Sequence, residues 1–485
     1  MVFSTVLFIS FFLPSVFILT AIIPSVRAKN AVLILASLLF YSYGEPIYVL
    51  LMLVSCLANW ALALALDTGK EGSLPTRRNI VLTLALVLNL GMLGFFKYTG
   101  MLVQTADSVL GLNLKIGEIS LPIGISFYTF QALSYVIDVY RKRISAARDP
   151  FVVMLYISFF PQLIAGPIVR YRHIEKQIAH REITLNGVAC GLRRFIVGLS
   201  KKVIIADTLA VVVDGIYGSQ SGQVDVYAAW LAAICYALQI YFDFSGYSDM
   251  AIGMAAMFGF QFQENFTYPY ISRSMQEFWR RWHISLSTWF LEYLYIPLGG
   301  NRKGTTRTVI NKFTVFLLCG LWHGAAWTFV VWGLIHGIFL MLEEILPVKK
   351  LPTWIGHFYT MFIVVTSFVI FRADSFSQAL HLYAAMVGLK TDSTVRAGSL
   401  ALSYLDPWTV TIFCIALIAM LPVTQILAPK APFWEKLGVT NPSSTYSPAV
   451  VDTRIWSFAL TLLLLVANLL ILAAGGYHPF IYFRF

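Results

Sequence analysis

Residues 320–337 read GLWHGAAWTFVVWGLIHG, an almost wholly apolar run that carries His323 and His336. Ionisable side chains inside apolar spans are rare, face a partner or a cavity, and are functional candidates by default. Burial holds a histidine ring neutral, which suits a general base. On one continuous helix the two rings would point to opposite faces, about 20 Å apart along the axis, so they cannot share a metal ion. We therefore take His323 as the candidate base and interpret His336 as structural.

Apolar runs of this kind recur along the whole chain. Of its 485 residues, 58% are hydrophobic and only 12% are charged, whereas a soluble domain has roughly 25% charged residues. Many runs reach the roughly 20 residues that a helix needs to cross a bilayer. These features exclude a single soluble core. We expect an all-α integral membrane protein with about 11–13 transmembrane helices.

Proline and glycine interrupt several of the apolar runs. Backbone that leaves the helix at membrane depth is tolerated only where protein or a water-filled cavity satisfies its polar groups. We therefore expect broken and re-entrant helices. The interruptions are Leu121-Pro122-Ile123-Gly124, Phe160-Pro161, Gly166-Pro167, Gly246 and Gly253. Residues 98–118 and 376–390 are predicted as surface or interfacial segments, and residues 430–453 as a loop.

The formal net charge of +11 is carried by short loops between apolar runs. This distribution is typical of orientation in a membrane by cytoplasmic basic loops, so it does not indicate a nucleic-acid partner. The loops near Arg27, Arg77 and Arg141 agree with one another and place the N-terminus outside. Residues 170–202 are also basic, and they stay cytoplasmic only if 150–168 is a re-entrant or broken segment. Residues 3–25 lack the basic start of a secretory signal and are interpreted as a retained span.

The five cysteines are scattered, and nearly all of them lie inside apolar runs. Without a Cys-x-x-Cys pair or a Cys/His cluster, the sequence predicts neither a metal site nor a disulfide framework.

Polar residues stand among apolar ones between Tyr241 and Asp249, in the order Tyr-Phe-Asp-Phe-Ser-Gly-Tyr-Ser-Asp. A carboxylate near hydrocarbon costs about 2.5–3.5 kcal/mol on insertion scales, so it needs a partner. Asp243 and Asp249 can tie broken helix ends, or they can contact a substrate. The sequence leaves both possibilities open.

Residues 277–292 follow a helical pattern. Glu277 and Arg281 are spaced i, i+4 and begin a polar stripe, while Trp279 and His283 lie on a neighbouring apolar stripe. An amphipathic helix of this composition is also typical of an interfacial anchor. His283 is the exception, because an imidazole on an apolar stripe requires a specific partner.

A glycine-rich turn follows at Gly299–Gly304, with the sequence GGNRKG. It lacks the Gly-Lys-Ser/Thr spacing of a phosphate-binding P-loop. We interpret it as a basic cytoplasmic turn, with contact to the phosphates of a donor as the alternative.

The chain resembles the membrane-bound O-acyltransferase family, and within it the branch that O-acetylates bacterial polysaccharides. The resemblance lies in long strings, not in one motif: 126–131, 135–140, 243–253, 265–271, 277–303, 320–337 and 479–485. It implies a funnel-shaped core that the acyl donor enters from the cytoplasm and the acceptor from the outer face. On this basis we expect N-terminal spans with a periplasmic segment in 1–118, a catalytic core in 119–347, and C-terminal spans in 348–485.

The family's invariant histidine falls on His323, and its second polar active-site position falls on His283. The resemblance further implies that substrates contact a set of side chains around them: Asp243, Ser245, Asn265, Trp279, Arg280, Arg281, Trp282, Ser285, Trp322 and Gly324. The three tryptophans would line the passage, and Arg280 or Arg281 would meet donor phosphates. No bound cofactor or metal is expected.

The resemblance implies acyl transfer from acetyl-CoA, or another acyl thioester, to a hydroxyl. His323 would accept the hydroxyl proton, and His283 would orient a substrate or stabilise charge on the carbonyl oxygen. The final acceptor would be a cell-envelope polysaccharide such as alginate, cellulose or peptidoglycan. It would be reached through a periplasmic O-acetyltransferase partner at the bacterial inner membrane. Two alternatives stay open here: D-alanyl, protein or lipid acyl transfer within the family, and a proton-coupled transporter.

Overall fold

The computed structural model describes residues 1–67, 75–111, 117, 119–389, 396–423, 455–475 and 479–481. Within them the chain is helical and contains no β-strand. Six helices are long and apolar enough to cross a membrane, and two shorter apolar segments are Phe8–Ile22 and Pro407–Ala419. The predicted all-α membrane fold is thereby confirmed. The predicted total of about 11–13 crossings stays a prediction.

The described residues form two compact units. The first comprises 1–195 and 248–263, and the second comprises 196–247, 264–423 and 455–481. The helices that begin in the first unit are α1 Leu13–Ile22, α2 Val26–Ser42, α3 Tyr48–Asp67, α4 Pro75–Leu110, α5 Ile125–Tyr140, α6 Pro150–Ser158, α7 Phe160–Leu163, α8 Tyr171–Ala179 and α9 Leu185–Ser200. A π-helical turn at Phe8–Phe12 precedes α1, and another at Lys201–Ala206 follows α9.

The second unit holds the remaining helices and the candidate site. These helices are α10 Asp207–Tyr217, α11 Val226–Met257, α12 Met275–Arg281, α13 Ile284–Phe290, α14 Gly304–His323, α15 Trp327–Ile345, α16 Thr353–Arg372, α17 Phe376–Met386, α18 Ser399–Ser403, α19 Pro407–Ala419 and α20 Ile455–Ala473. A π-helical turn at Leu291–Tyr295 continues α13, and single 3-10 turns lie at Ser221–Gln223, Pro269–Ile271 and Val348–Lys350. Helix α11 supplies its residues from 248 onward to the first unit.

Several predicted helix breaks are present. Helix α5 begins only after Gly124, whose φ of 77° is left-handed and whose missing side chain admits the carbonyl oxygen of Leu163. The segment 150–168 is split into α6 and α7 at Phe159, where ψ is 111°. This break agrees with a re-entrant or broken segment.

The predicted break at Gly246 and Gly253 is wrong, because α11 runs through both without interruption. Each glycine instead allows another backbone to approach the helix closely. A side chain at Gly246 would lie 2.6 Å from the carbonyl oxygen of Gly198, and one at Gly253 would lie 2.5 Å from that of Gly191. Small residues serve this purpose widely between membrane helices.

Two further predicted segments are helical. Residues 98–110 continue α4 and expose Leu102, Val109 and Leu110. Residues 376–386 form α17, which buries Ala379 and Leu382 and exposes Leu380. Their placement at the surface or the membrane interface stays a prediction. The loop predicted at 430–453 lies outside the described residues.

Helix α12 is anchored at its first turn, where helix N–H groups have no partner within the helix. The Ser274 hydroxyl accepts from the Glu277 N–H at 3.1 Å. The Glu343 carboxylate on α15 accepts from the N–H groups of Met275 at 2.5 Å and Gln276 at 3.0 Å. This cap fixes the start of α12 against α15 and so positions the residues that follow it.

Helices α14 and α15 form a tight antiparallel hairpin. Gly320 and Gly333 face each other across it, with the Cα of Gly333 only 3.1 Å from where a side chain on Gly320 would begin. Carbonyl oxygens of Phe329 and Phe316 occupy the adjoining space. The close approach sets the position of His323, the last residue of α14.

Candidate active site

His283 lies in the turn between α12 and α13 and is completely buried. Its backbone is left-handed, with φ 43° and ψ 55°, a conformation uncommon for residues other than glycine. The predicted single helix over 277–292 is therefore wrong, because the chain turns at His283. The Glu277–Arg281 pair is present at 3.0 Å within α12.

Asn265 determines which nitrogen of His283 carries the proton. The Asn265 side-chain oxygen accepts from the Ser285 N–H at 3.1 Å and from the Ser285 hydroxyl at 2.9 Å. The same oxygen lies 3.2 Å from Nδ1 of His283. Since an amide oxygen only accepts, Nδ1 must donate. Nε2 of the neutral ring is then a lone-pair acceptor.

Burial also keeps His283 uncharged. The residue lies outside the six candidate spans, and desolvation lowers its pKa to about 3. Phe244 reinforces this apolar setting, because its ring meets the imidazole edge-on at 4.6 Å. A neutral Nδ1–H tautomer accepts a hydrogen bond or a proton at Nε2 and cannot donate there.

His323 is 4% exposed and is enclosed by aromatic rings. Trp322 and Trp332 lie 5.0 Å from it, and Phe371 lies 5.4 Å away, all close to perpendicular. Trp322 is also 6.0 Å from His283. The structure therefore brings both predicted catalytic histidines next to one tryptophan.

The separation predicted between His323 and His336 is wrong. The chain does not continue as one helix past His323, because α15 begins at Trp327 and folds back along α14. Both rings contact Trp332, at 5.0 Å and 4.7 Å respectively. In the part of the chain that the structure describes, no group of three His, Cys, Asp or Glu side chains is arranged to hold a metal ion.

Buried hydrogen bonds hold His336 in place. The Trp279 indole N–H donates to its Nδ1 at 3.2 Å. Its Nε2 lies 3.0 Å from the Ser367 hydroxyl, which itself donates to the Val364 carbonyl. His336 thus carries its proton on Nε2, the opposite tautomer to His283. Its place in this chain agrees with the structural interpretation.

Asp243 is held by protein partners on both carboxylate oxygens. One oxygen lies 2.7 Å from the Lys202 ammonium, and the other accepts from the Ile481 N–H at 2.9 Å. Asp249 pairs with Arg194 at 2.8 Å. Both contacts correspond to the tying role that the sequence left open, while substrate contact by Asp243 stays a prediction.

The other predicted contact residues differ in their setting. Trp282 is 3% exposed and packs among rings that include Phe266 at 5.1 Å and Phe278 at 5.4 Å. Ser245 is buried, and its hydroxyl has no hydrogen-bond partner within the described residues.

Two further predicted contact residues lie in different surroundings. Arg280 is exposed. Gly324 closes α14, where the ring of Phe329 occupies the space of a side chain. Substrate contact by each of them stays a prediction.

The model of the membrane-bound O-acyltransferase family matches residues 141–371, a range that contains the buried residues His283, His323 and His336. The chain is 39% identical to the probable alginate O-acetylase AlgI of Pseudomonas putida over 501 residues, covering 100% of both chains. It is 35% identical to the peptidoglycan O-acetyltransferase of Helicobacter pylori, over 84% of this chain and 83% of that one.

The chain belongs to the membrane-bound O-acyltransferase family. It is a multi-pass membrane protein and an acyltransferase. The teichoic acid D-alanyltransferase of Bacillus subtilis is a further relative, 28% identical over 52% of this chain and 69% of that one. The acyltransferase assignment replaces the transporter alternative.

Sequence reasoning missed several residues of this membrane-bound O-acyltransferase site. Trp332 and Phe371 enclose His323 but look like ordinary apolar residues in sequence. Lys202 falls within the basic stretch predicted to be cytoplasmic, yet it is 2% exposed. One signal was present: a carboxylate such as Asp243 in an apolar run requires a counter-charge.

Proposed function

We propose that this acyltransferase moves an acetyl group from acetyl-CoA on the cytoplasmic side toward a hydroxyl of a cell-envelope polysaccharide. The observation that carries the proposal is the end-to-end similarity to alginate O-acetylases, at 37–39% identity over full length. An alginate-type polysaccharide is the favoured final acceptor, and peptidoglycan is the second candidate because of the Helicobacter relative. We place the protein in the bacterial inner membrane.

We assign the proton-accepting role to His323. The acceptor oxygen attacks the thioester carbonyl carbon, and its proton passes to His323 as the C–O bond forms. The C–S bond then breaks, and the leaving thiolate takes the proton as a thiol. A positioned base of this kind typically contributes about 10²–10⁴-fold to the rate.

His283 receives a narrower role than the sequence allowed. Because its Nε2 carries no proton, it cannot donate to a negatively charged carbonyl oxygen. It can accept a hydrogen bond from the acceptor hydroxyl and hold it for attack. The fixed tautomer therefore favours orientation of the acceptor over stabilisation of the oxyanion.

We further propose that a separate periplasmic O-acetyltransferase completes the transfer to the polysaccharide. Apolar residues make up 58% of the 485 residues, a composition that suits transfer across the membrane more than binding of a long glycan. D-alanyl, protein or lipid acyl transfer is the alternative within the family. D-alanyl transfer among these is supported by relatives that match about half of this chain.

The decisive experiment measures acetyl transfer from labelled acetyl-CoA in proteoliposomes, together with mass spectrometry of the envelope glycans. We expect His323→Ala to lower the transfer rate by about 10²–10⁴-fold while the protein still inserts and accumulates. His381→Ala is the matched control, because His381 lies on α17 outside the ring cluster. Full activity in His323→Ala contradicts the assigned base, and D-alanylated glycans in place of acetylated ones contradict the assigned substrate.

A further inference from the structure

A buried charge cluster lies beside the candidate site and takes no part in the proposed chemistry. The Lys202 ammonium is 2.7 Å from Asp207 Oδ1 and 2.7 Å from Asp243 Oδ1. These side chains are 2%, 8% and 3% exposed. Two carboxylates and one ammonium so deeply buried are stable only when their remaining hydrogen-bonding capacity is also used.

The last described residues of the chain, Pro479–Ile481, supply that capacity. The Pro479 carbonyl accepts from Lys202 at 3.4 Å, giving the ammonium a partner for each of its three protons. The Ile481 N–H donates to the second oxygen of Asp243 at 2.9 Å. Both contacts join residues more than 230 positions apart in the chain.

Phe480 places an aromatic ring against the same cluster. Its centroid lies 4.8 Å from the Lys202 ammonium, within cation–π range. The ring also meets that of Tyr247, close to perpendicular at 4.7 Å. Phe480 and Ile481 are 2% and 4% exposed, so both are enclosed by protein.

One member of the cluster, Asp243, lies on α11 beside the residue that contacts His283. Asp243 and Tyr247 contact the tail, and Phe244 between them meets His283 at 4.6 Å. A displacement of this turn of α11 would move the ring that fixes one face of the imidazole. Errors of about 1 Å at a reacting group can cost about 10²-fold in rate.

We propose that Lys202, Asp207, Asp243 and Tyr247 form a binding site for the segment Pro479–Ile481 of the same chain. We further propose that docking of this segment positions α11 against His283. The inference rests on the proposed function for its effect on catalysis, but the binding site itself does not. Phe480 and Ile481 are positioning residues, since they act on the substrate only through α11.

The first test removes the tail and returns it as a separate molecule. A chain truncated after residue 478 should keep its KM for acetyl-CoA but lose kcat by about 10-fold or more. Addition of the heptapeptide PFIYFRF, residues 479–485, should restore kcat in a saturable manner. The same peptide with Phe480→Ala is the matched control and should not restore it.

Binding is measured independently by fluorescence anisotropy of the labelled heptapeptide on the truncated protein in detergent. We expect saturable binding that is lost when Lys202→Met is added to the truncated chain. Failure of the peptide to bind a truncated protein that is folded overturns the proposal.

Full-length variants decide the matter if the truncated protein does not accumulate. Phe480→Ala removes the ring beside Lys202 and should lower kcat about 5- to 30-fold without raising KM. Phe480→Tyr keeps an aromatic face and should retain most of the activity. Equal activity in wild type, Phe480→Ala and Ile481→Pro contradicts the positioning role.

The two proposals fail separately. Peptide binding together with an active His323→Ala protein would reject the proposed mechanism and leave the tail site in place. Loss of activity in His323→Ala together with unaffected tail variants would reject the tail site alone.

Discussion

His283 shows how a single amide can select the chemistry of a histidine. Asn265 cannot reverse its side chain, because its oxygen already accepts from the Ser285 N–H at 3.1 Å. Nδ1 of His283 therefore donates to that oxygen, and Nε2 is left to accept. The hydrogen bond to Asn265, and not the solvent, determines the tautomer of the His283 ring.

Replacing Asn265 tests this assignment. Asn265→Ala removes the acceptor and leaves a buried N–H without its partner, a cost of about 1–3 kcal/mol, which corresponds to roughly 5- to 150-fold in rate. Asn265→Asp keeps an acceptor at the same place and should retain more activity than the alanine variant. Acetyl transfer at saturating substrate is the measurement. Equal losses in both variants would show that the tautomer is not what matters.

The lowered pKa of His283 gives a second prediction at this scale. Because burial brings the pKa to about 3, the ring is protonated only below that pH and stays a neutral acceptor as pH rises. Between about pH 5 and 8, titration of His283 should cause no rise or fall of kcat with pH. The pH profile of wild type is compared with that of His283→Gln. A rise or fall of kcat near pH 6.5 that is present in wild type and missing in the variant would contradict the buried neutral ring.

The identity of the two candidate histidines could be predicted from sequence, because an imidazole in an apolar run is conspicuous. Their mutual arrangement could not. His283 joins Trp322 through a left-handed turn, and His323 meets Trp332 only because the chain reverses after it. Both features depend on backbone reversals that an uninterrupted helical pattern conceals.

At the scale of elements, the α14–α15 hairpin is fixed by the glycines at its centre. A methyl group on Gly320 would overlap the Phe329 carbonyl oxygen, and one on Gly333 would overlap that of Phe316. Backbone atoms cannot rotate away as a side chain does. The helices must therefore separate to admit any larger residue.

Gly320→Ala should destabilise the protein by about 1–3 kcal/mol, the usual cost of overpacking. Gly91→Ala is the matched control, because Gly91 lies inside α4 with no atom within 4 Å of the added methyl group. That control should be neutral or stabilising by about 0.5–1 kcal/mol, since alanine favours helix. Thermal unfolding in detergent compares the two. Equal unfolding temperatures for both variants would mean that α14 and α15 can move apart at no cost in stability.

The helices themselves were largely predictable, but the function of their glycines was not. Pro122-Ile123-Gly124 and Phe160-Pro161 break the chain as predicted, because proline and left-handed glycine disrupt helices locally. Gly246 and Gly253 do not break α11. A glycine in an apolar run is compatible with either a break or a close approach, and only the neighbouring chain decides between them.

At the scale of the molecule, the basic residues predict how the chain lies in the membrane. Residues 170–202 are cytoplasmic only if the chain returns to that side after 150–168, and the break between α6 and α7 agrees with such a return. Lys176 is exposed on α8 and suits a probe of this stretch. The side of the membrane stays a prediction.

Cysteine labelling tests the orientation. In a chain whose exposed Cys414 is replaced by serine, Lys176→Cys should react with a membrane-impermeant maleimide only after the cytoplasmic face is opened. The Cys414→Ser chain without the introduced cysteine is the background control, since the other four cysteines are buried. Reaction in intact spheroplasts would place this stretch outside and reverse the predicted topology.

The class of fold was accessible from composition, because 58% hydrophobic residues in long runs leave few alternatives to a helical membrane protein. The contacts between residues far apart in the chain could not be predicted from composition. Lys202 looks like one more basic loop residue, and its burial against Asp243 and Pro479 depends on contacts across most of the chain.

The position of the tail site has a consequence for biosynthesis. Asp243 and Ile481 are 238 positions apart, and ribosomes add about 5–20 residues per second. On the proposed role of the tail, a nascent chain waits roughly 10–50 s between making the receptor and making its occupant. A message terminated before codon 479 would then yield a membrane-inserted protein with both histidines and little turnover. Acyl transfer would thus begin only after residues 479–481 have been added to the chain.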